Sequence, residues 1–328
     1  MLHRNIAHRL RRSAATFAAS ALAVVVVAGS AGVATAAPLT HRAPAGGYEE
    51  VSVPSTMGPV KVQIQWAARG GDAALYLLDG LRARDDTNGW SLETDAARQF
   101  ADDNVTLVMP VGGKSSFYTD WQSPASMNGQ GVTYKWETFL TEELPAYLET
   151  RGVSRTNNAI LGLSMGGSAA LSLAAHHRDQ FKAAASFSGY LNLSAPGMRE
   201  TVRLAMLNAG SFNVDSMWGP PWAKGWLRND PFVFAPSLDG LPMYISAASG
   251  LPGQYDNPKG LNGHFNNGIV MTLEAISLAQ TRAFQLRLNS LDIPAQFSFP
   301  ATGTHRWDYW QDELAKSRPM FLDALNAH

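Results

Sequence analysis

Along residues 48–328, apolar positions recur in two forms, short unbroken runs and longer stretches at helical spacing. The unbroken runs at 73–78 and 105–111 predict central parallel strands, because a strand covered on both faces has no polar side to show. Further strands are expected at 159–163, 183–187, 241–247 and 295–299. Residues 60–66, Val-Lys-Val-Gln-Ile-Gln-Trp, alternate apolar and polar, which predicts a half-exposed, edge-side strand. Between the strands lie helical patterns. Residues 136–148 carry Trp136, Phe139, Leu140, Leu144, Tyr147 and Leu148 on one stripe, with Pro145 as a kink. Residues 271–288 set Leu273, Ile276, Ala279, Ala283 and Leu286 at the same period, and 307–327 form a last helix. Residues 194–240 are an irregular excursion. Strands alternating with helices over this length imply a doubly wound sheet.

The chemistry enters at 158–171, Asn-Ala-Ile-Leu-Gly-Leu-Ser-Met-Gly-Gly-Ser-Ala-Ala-Leu. An apolar strand runs almost without a loop into a small-residue helix, with Gly162-Leu163-Ser164-Met165-Gly166 between them. This is the G-x-S-x-G pattern of a nucleophile elbow. A serine on so tight a turn stands out above the sheet, and the N–H of Met165 points where an oxyanion would form. The alternative is an ordinary glycine-rich turn. With the flanking strand and helix, the expected architecture is the α/β-hydrolase fold, in a single domain over 48–328.

In that fold the chain order is serine, acid, histidine. His305, in Gly-Thr-His-Arg-Trp after the last strand, is the candidate base. His176 and His177 lie on the elbow helix, His264 follows the preceding strand too closely, and His328 is terminal. Spacing leaves the acid open. Asp256, in the loop after strand 241–247, is slightly favoured over Glu274, which falls inside a predicted helix. The second oxyanion donor is the N–H of Leu81, after strand 73–78.

Charge and composition narrow the setting. Arg4, Arg9, Arg11 and Arg12 precede an apolar run at 14–28, and Ala34-Thr35-Ala36 is a small-x-small cleavage site. Residues 1–36 are therefore expected to be a signal peptide rather than a retained anchor, and 37–47 a flexible leader. The segment 1–36 holds four arginines and no acid, so its loss takes the formal charge from −1 to −5. Such a mildly acidic surface gives no reason to expect a nucleic-acid partner. The chain has no cysteine, so packing alone must stabilise it in an oxidising compartment. No spacing typical of a metal site is present, and no cofactor is expected.

Several longer runs then carry a resemblance. They include Tyr76-Leu-Leu-Asp79-Gly-Leu81-Arg82, Asp85-Asp-Thr-Asn88-Gly-Trp90, residues 108–121 and residues 133–140. The elbow, Met217-Trp-Gly-Pro220, Arg228-Asn-Asp-Pro231 and Gly303-Thr-His305-Arg-Trp307 continue it. Over residues 48–328 the chain resembles the secreted mycolyltransferases of mycolic-acid bacteria. The resemblance implies Ser164 as nucleophile, His305 as base and Glu274, in a Leu-Glu helix step, as acid, overriding the preference for Asp256. It implies Leu81 and Met165 as oxyanion donors, and Asp79, Arg82 and Trp307 in a trehalose pocket. It also implies trehalose mycolates and cell-wall glycan as substrates, an exported protein associated with the envelope, and at 85–95 a segment like one proposed to bind host matrix.

The chain departs from that pattern in places. Asn192 replaces an aspartate near the sugar, Ser246 replaces a cysteine, and Met127-Asn-Gly-Gln stands where some members carry cysteines. Glu274 is followed by Ala275-Ile276 rather than an aromatic-rich run, which alters the acceptor pocket at Ile276. A neutral Asn192 implies weaker trehalose binding than a carboxylate would give. A secreted carboxylesterase with the same triad, or a matrix-binding surface protein, are the competing functions.

Overall fold

The computed structural model describes residues 42–328; the expected signal peptide and the start of the leader lie outside them. Eight strands form one sheet: β1 Tyr48–Val53, β2 Val60–Gln65, β3 Ala73–Leu78, β4 Val105–Pro110, β5 Asn158–Leu163, β6 Phe181–Phe187, β7 Met243–Ser246 and β8 Gln296–Ser298. Their order is β1-β2-β4-β3-β5-β6-β7-β8. From β4 to β8 every pairing is parallel, while β1 and β2 join antiparallel at one edge. β3, β4 and β5 are buried along their whole length, as unbroken apolar runs require.

The edge differs from expectation. β2 is paired on both sides, and β1 holds the edge in its place. β1 reads Tyr-Glu-Glu-Val-Ser-Val and buries only Val53, so it offered no run or clean alternation to detect. Residues 42–47, expected in a flexible leader, lie against this region. Ala43 is buried, Gly46 N–H donates to Ala67 O at 2.7 Å, and Trp66 N–H donates to Gly47 O at 2.9 Å.

Among the described residues, ten α-helices connect and cover the strands. α1 Gly89–Glu93 and α2 Ala96–Gln99 follow β3, and α3 Trp136–Thr138 runs through a π-turn at Phe139–Glu143 into α4 Leu144–Glu149. Pro145 closely follows the π-turn, whose wider ladder accommodates a residue without an N–H at the position where the kink is expected. The stripe from Trp136 to Leu148 packs into the core as its spacing requires, with Tyr147 partly buried against it. α5 Met165–His176 carries the elbow.

The excursion is more regular than its sequence pattern, with α6 Met198–Gly210, α7 Val214–Trp218 and α8 Lys224–Arg228. Gly219, Pro220 and Pro221 keep the last two short, and α6 buries Met198, Val202 and Met206 at i, i+4, i+8. Of its aromatics, Trp218 and Trp226 form local core, edge to face at 5.0 Å, while Trp222 is 82 % exposed. α9 Gly260–Asn289 and α10 Trp307–Leu325 complete the fold. α9 turns a different face inward from the one expected. Its buried positions are Asn267, Glu274, Ser277, Thr281, Phe284 and Leu288, whereas Leu286 is 70 % exposed.

Candidate active site

The sheet delivers its functional groups at the carboxyl ends of four neighbouring strands, where ligands bind in open α/β sheets. At the end of β5, Ser164 adopts φ 52° and ψ −121°, a conformation sparsely populated by non-glycine residues. The surrounding bonds hold it there: Ser164 N–H donates to Phe187 O on β6 at 2.8 Å, and Gly167 N–H donates to Ser164 O at 3.0 Å. The two elbow glycines have a steric reason. A Cβ on Gly162 would lie 2.1 Å from Gly166 O, and one on Gly166 would lie 2.4 Å from Asp79 O. Strand, helix and the loop after β3 thus meet at backbone contact.

The structure brings Glu274 and His305 together. His305 Nδ1 lies 2.8 Å from Glu274 Oε2, on a carboxylate that is almost wholly buried. The other oxygen, Oε1, accepts from Ser188 Oγ at 2.8 Å and from Ala248 N–H at 2.7 Å. Ser188 is itself fixed by Trp310 Nε1–H, which donates to its Oγ at 2.9 Å, and by Ser277 Oγ, which donates to its carbonyl. The inward face of α9 is polar because it carries this acid and the Ser277 contact; that is why its apolar stripe pointed the wrong way. Since Ser188 follows Phe187, the residue that receives the Ser164 N–H, acid and elbow are anchored to consecutive residues of one chain segment. Sequence reasoning missed Ser188, Ala248 and Trp310; the one signal was a serine directly after an apolar strand.

Asp256 has a different task. Its side chain accepts from Gly253 N–H, Thr304 Oγ1, Tyr309 OH and Arg306 Nε, tying its loop to the one that carries His305. Burial pushes the carboxyl up, but these donors outweigh it and hold its pKa below the usual aspartate value.

Around the elbow, Met165 N–H sits in the first turn of α5, where a helix supplies no internal acceptor. Leu81 follows Gly80, whose added Cβ would stand 3.7 Å from Ser164 Cβ. Asp79 is only 2 % exposed and accepts Gly89 N–H at 2.8 Å; a Cβ on Gly89 would strike both Asp79 Oδ1 and the Trp307 ring. Trp307 also packs edge to face on Trp90 and Trp310. Arg82 reaches out to Asn208 Oδ1 on α6 at 2.6 Å. Asn192 and Ile276 are half-buried.

Burial pushes the Asp79 carboxyl up to about 7, against the smaller opposing effect of the Gly89 N–H. The folded pKa exceeds the unfolded one, so the fold favours the protonated acid. The destabilisation is absent below about pH 4, grows through the interval up to about pH 7, and above that reaches on the order of 4 kcal/mol. Asp79→Asn keeps an acceptor for Gly89 and removes the charge. Its melting temperature should therefore fall less than that of the parent between pH 5 and 8; parallel melting curves across that range would contradict the assignment.

Residues 54–321 match the family described as "Putative esterase". The chain is 42% identical over 282 residues to the diacylglycerol acyltransferase/mycolyltransferase Ag85C of Mycobacterium avium, covering 85% of this chain and 77% of that one. It is 40% identical over 320 residues to the Ag85B protein of Mycolicibacterium smegmatis, covering 95% of each. Among solved structures it is similar to Mycobacterium tuberculosis MPT51 (FbpC1), with a TM-score of 0.74, 28% identity and coverage of 86% and 100%. A Staphylococcus aureus serine hydrolase, FphF, at 16% identity and TM-score 0.63, shares the fold. The chain has the α/β-hydrolase fold and belongs to the esterase family, within the group of the Ag85 diacylglycerol acyltransferase/mycolyltransferases.

Proposed function

We propose that the chain is a serine-dependent acyltransferase that moves a mycoloyl group from trehalose monomycolate to a second trehalose monomycolate or to cell-wall glycan. The observation that carries the reading is the 2.8 Å contact between His305 Nδ1 and the buried Glu274 carboxylate, which Ser188 ties to the segment that accepts the N–H of the strained Ser164. With Nδ1–H donated to Glu274, Nε2 is left as the acceptor for the Ser164 proton. Ser164 Oγ attacks the ester carbonyl while that proton passes to His305. The N–H groups of Leu81 and Met165 stabilise the developing oxyanion, each contributing roughly 3 kcal/mol. The sugar alkoxide leaves with the proton from His305, and an acyl-Ser164 remains. An acceptor hydroxyl then gives its proton to His305 as it attacks the acyl carbon, and Ser164 regains its proton as it leaves.

Asp79, Arg82, Asn192, Ile276 and Trp307 are the proposed sugar-side residues. Asp79 and Trp307 meet across Gly89, so an uncharged acid there can both donate to and accept from a sugar hydroxyl, beside an apolar ring face. We assign residues 1–36 to export, 37–47 to a leader and 48–328 to the catalytic domain, in keeping with substrates outside the cytoplasm.

Simple ester hydrolysis is the second reading, favoured by the hydrolase fold shared with FphF. Incubating the protein with trehalose monomycolate and identifying the products separates the two. We expect trehalose dimycolate and free trehalose. Free mycolic acid as the sole acyl product would mean that water is the acceptor and would overturn transfer.

A further inference from the structure

The loop after β4 concentrates strained backbone. Among the described residues, eight other than glycine have positive φ, and three of them lie within four positions: Ser115 at 56°, Phe117 at 50° and Tyr118 at 48°. Gly112 and Gly113, just before them, are also positive, at 99° and 81°. For two aromatic residues in succession this region is costly, so the surroundings must over-determine it. Packing does so. Ser115 to Thr119 are all buried, and Tyr118 packs edge to face on Trp136 at 5.4 Å. Phe117 packs on Trp218 at 5.2 Å, and Trp121 Nε1–H donates to Ser116 O at 3.0 Å.

Two of the other strained residues, Ser164 and Ser188, are the elbow serine and the support of Glu274. The loop 112–118 turns its own polar groups toward the same place. Tyr118 OH accepts Asp79 N–H at 2.9 Å, and Ser115 N–H donates to Leu81 O at 2.9 Å. Phe117 N–H donates to Met165 Sδ at 3.2 Å. The peptide that carries the Leu81 N–H also gives its carbonyl, Gly80 O, to Ala83 N–H at 3.1 Å. That peptide is thus fixed at its own carbonyl and on both flanks. A Cβ on Gly166 would lie 2.4 Å from Asp79 O and 2.9 Å from Leu78 O. Contact with the elbow therefore limits how closely this segment can approach, and the two bonds from the strained loop keep it from drifting away.

We propose that Tyr118 is a positioning residue for acyl transfer: with Ser115 N–H it fixes the Asp79–Leu81 turn, and so the Leu81 N–H, where a developing oxyanion on the Ser164 adduct needs it. This rests on the assignment of Leu81 and Met165 as oxyanion donors made above. The phenol acts through the turn and touches no reacting atom. Such donors work because they are placed in advance, and a displacement of about 1 Å costs on the order of 100-fold in rate. Packing alone does not account for the hydroxyl, since a phenylalanine would fill the same space against Trp136. Burial pushes the Tyr118 hydroxyl well above its ordinary pKa, so it stays neutral and its bond to Asp79 does not titrate in the working range.

Tyr118→Phe keeps the ring and removes the acceptor of the Asp79 N–H. A buried N–H without a partner is costly, so the turn should rotate toward another acceptor. Hydrolysis of a soluble short-chain chromogenic ester by the purified protein should lose about 10- to 100-fold in kcat, with KM within about twofold of the parent. Phosphonylation by a fluorophosphonate, whose phosphoryl oxygen takes the oxyanion position, should slow by a similar factor. Its end point should still reach one label per chain, which a partly unfolded sample would not give. Met165→Leu removes the sulfur that meets Phe117 N–H but keeps the Met165 N–H, and should lose about threefold to tenfold in kcat. It tests the loop even where Tyr118→Phe does not fold. Tyr244→Phe removes another buried phenol hydroxyl, one bonded to Glu313 at 2.8 Å, and should keep the kcat of the parent.

A parent protein that takes no label would overturn the function proposed above and this inference with it. With the parent labelled, three results would overturn the inference alone. They are unchanged rate constants in the folded variants of Tyr118 and Met165, a loss of kcat shared by Tyr244→Phe, and a rise in KM at unchanged kcat.

Discussion

Ser164→Ala is expected to lower kcat by about 10⁴-fold or more while leaving the fold intact. The loss is large because the hydroxyl is the proposed attacking atom, and two nearby serines are already engaged. Ser168 is committed to the carbonyl of Tyr190, and Ser188 is held between Trp310 and Glu274. Stability should change little. The φ of 52° is imposed by Ser164 N–H on Phe187 O and by the glycine contacts at 162 and 166, none of which involve the hydroxyl. Alanine pays the same backbone cost as serine at that angle. A fluorophosphonate should add one phosphonyl group to the parent protein, seen as a mass increase, and none to the variant. Labelling of the variant at the site would identify a different nucleophile.

How much of this was legible in the sequence depends on where local pattern and tertiary demand agree. β3 spans the apolar run 73–78, and β4 and β5 follow theirs closely, because a fully buried strand must be apolar at every position. The elbow was equally plain, since backbone contact at Gly162 and Gly166 tolerates no side chain. β1 was invisible because an edge strand can satisfy its ladder on one side with polar residues facing water. α9 misled for a functional reason. Two of its inward positions, Glu274 and Ser277, bond to Ser188, so these polar residues are buried while Leu261, Phe265 and Leu286 stay outside. Periodicity assumes that the core takes the apolar face, and here the proposed site takes a polar one. Ser188 and Trp310 were beyond reach for another reason: residues 122 positions apart meet only once the sheet is assembled.

The two acids that spacing could not separate should respond to amidation in opposite ways. In Glu274→Gln the oxygen will still accept from Ser188 and Ala248, whose donors are fixed by the backbone and by Trp310. The new NH₂ must then face His305 Nδ1 and donate to it. The imidazole is driven to the tautomer with its proton on Nε2, which cannot take the proton of Ser164, and the charge that would stabilise an imidazolium is gone. We expect kcat to fall by about 10³- to 10⁴-fold with a small change in melting temperature. Asp256→Asn strikes the scaffold instead. Tyr309 OH, Thr304 Oγ1, Gly253 N–H and Arg306 all donate to this one carboxylate, and an amide offers them one oxygen where there were two. A buried donor left unsatisfied costs about 1–3 kcal/mol, so the melting temperature should drop by several degrees. Activity should fall less than about tenfold, since the Glu274–His305 contact involves none of these atoms. Steady-state rates on a soluble ester, read beside thermal melts of both variants, test the assignment. A greater loss of kcat in Asp256→Asn than in Glu274→Gln would return the role of acid to Asp256.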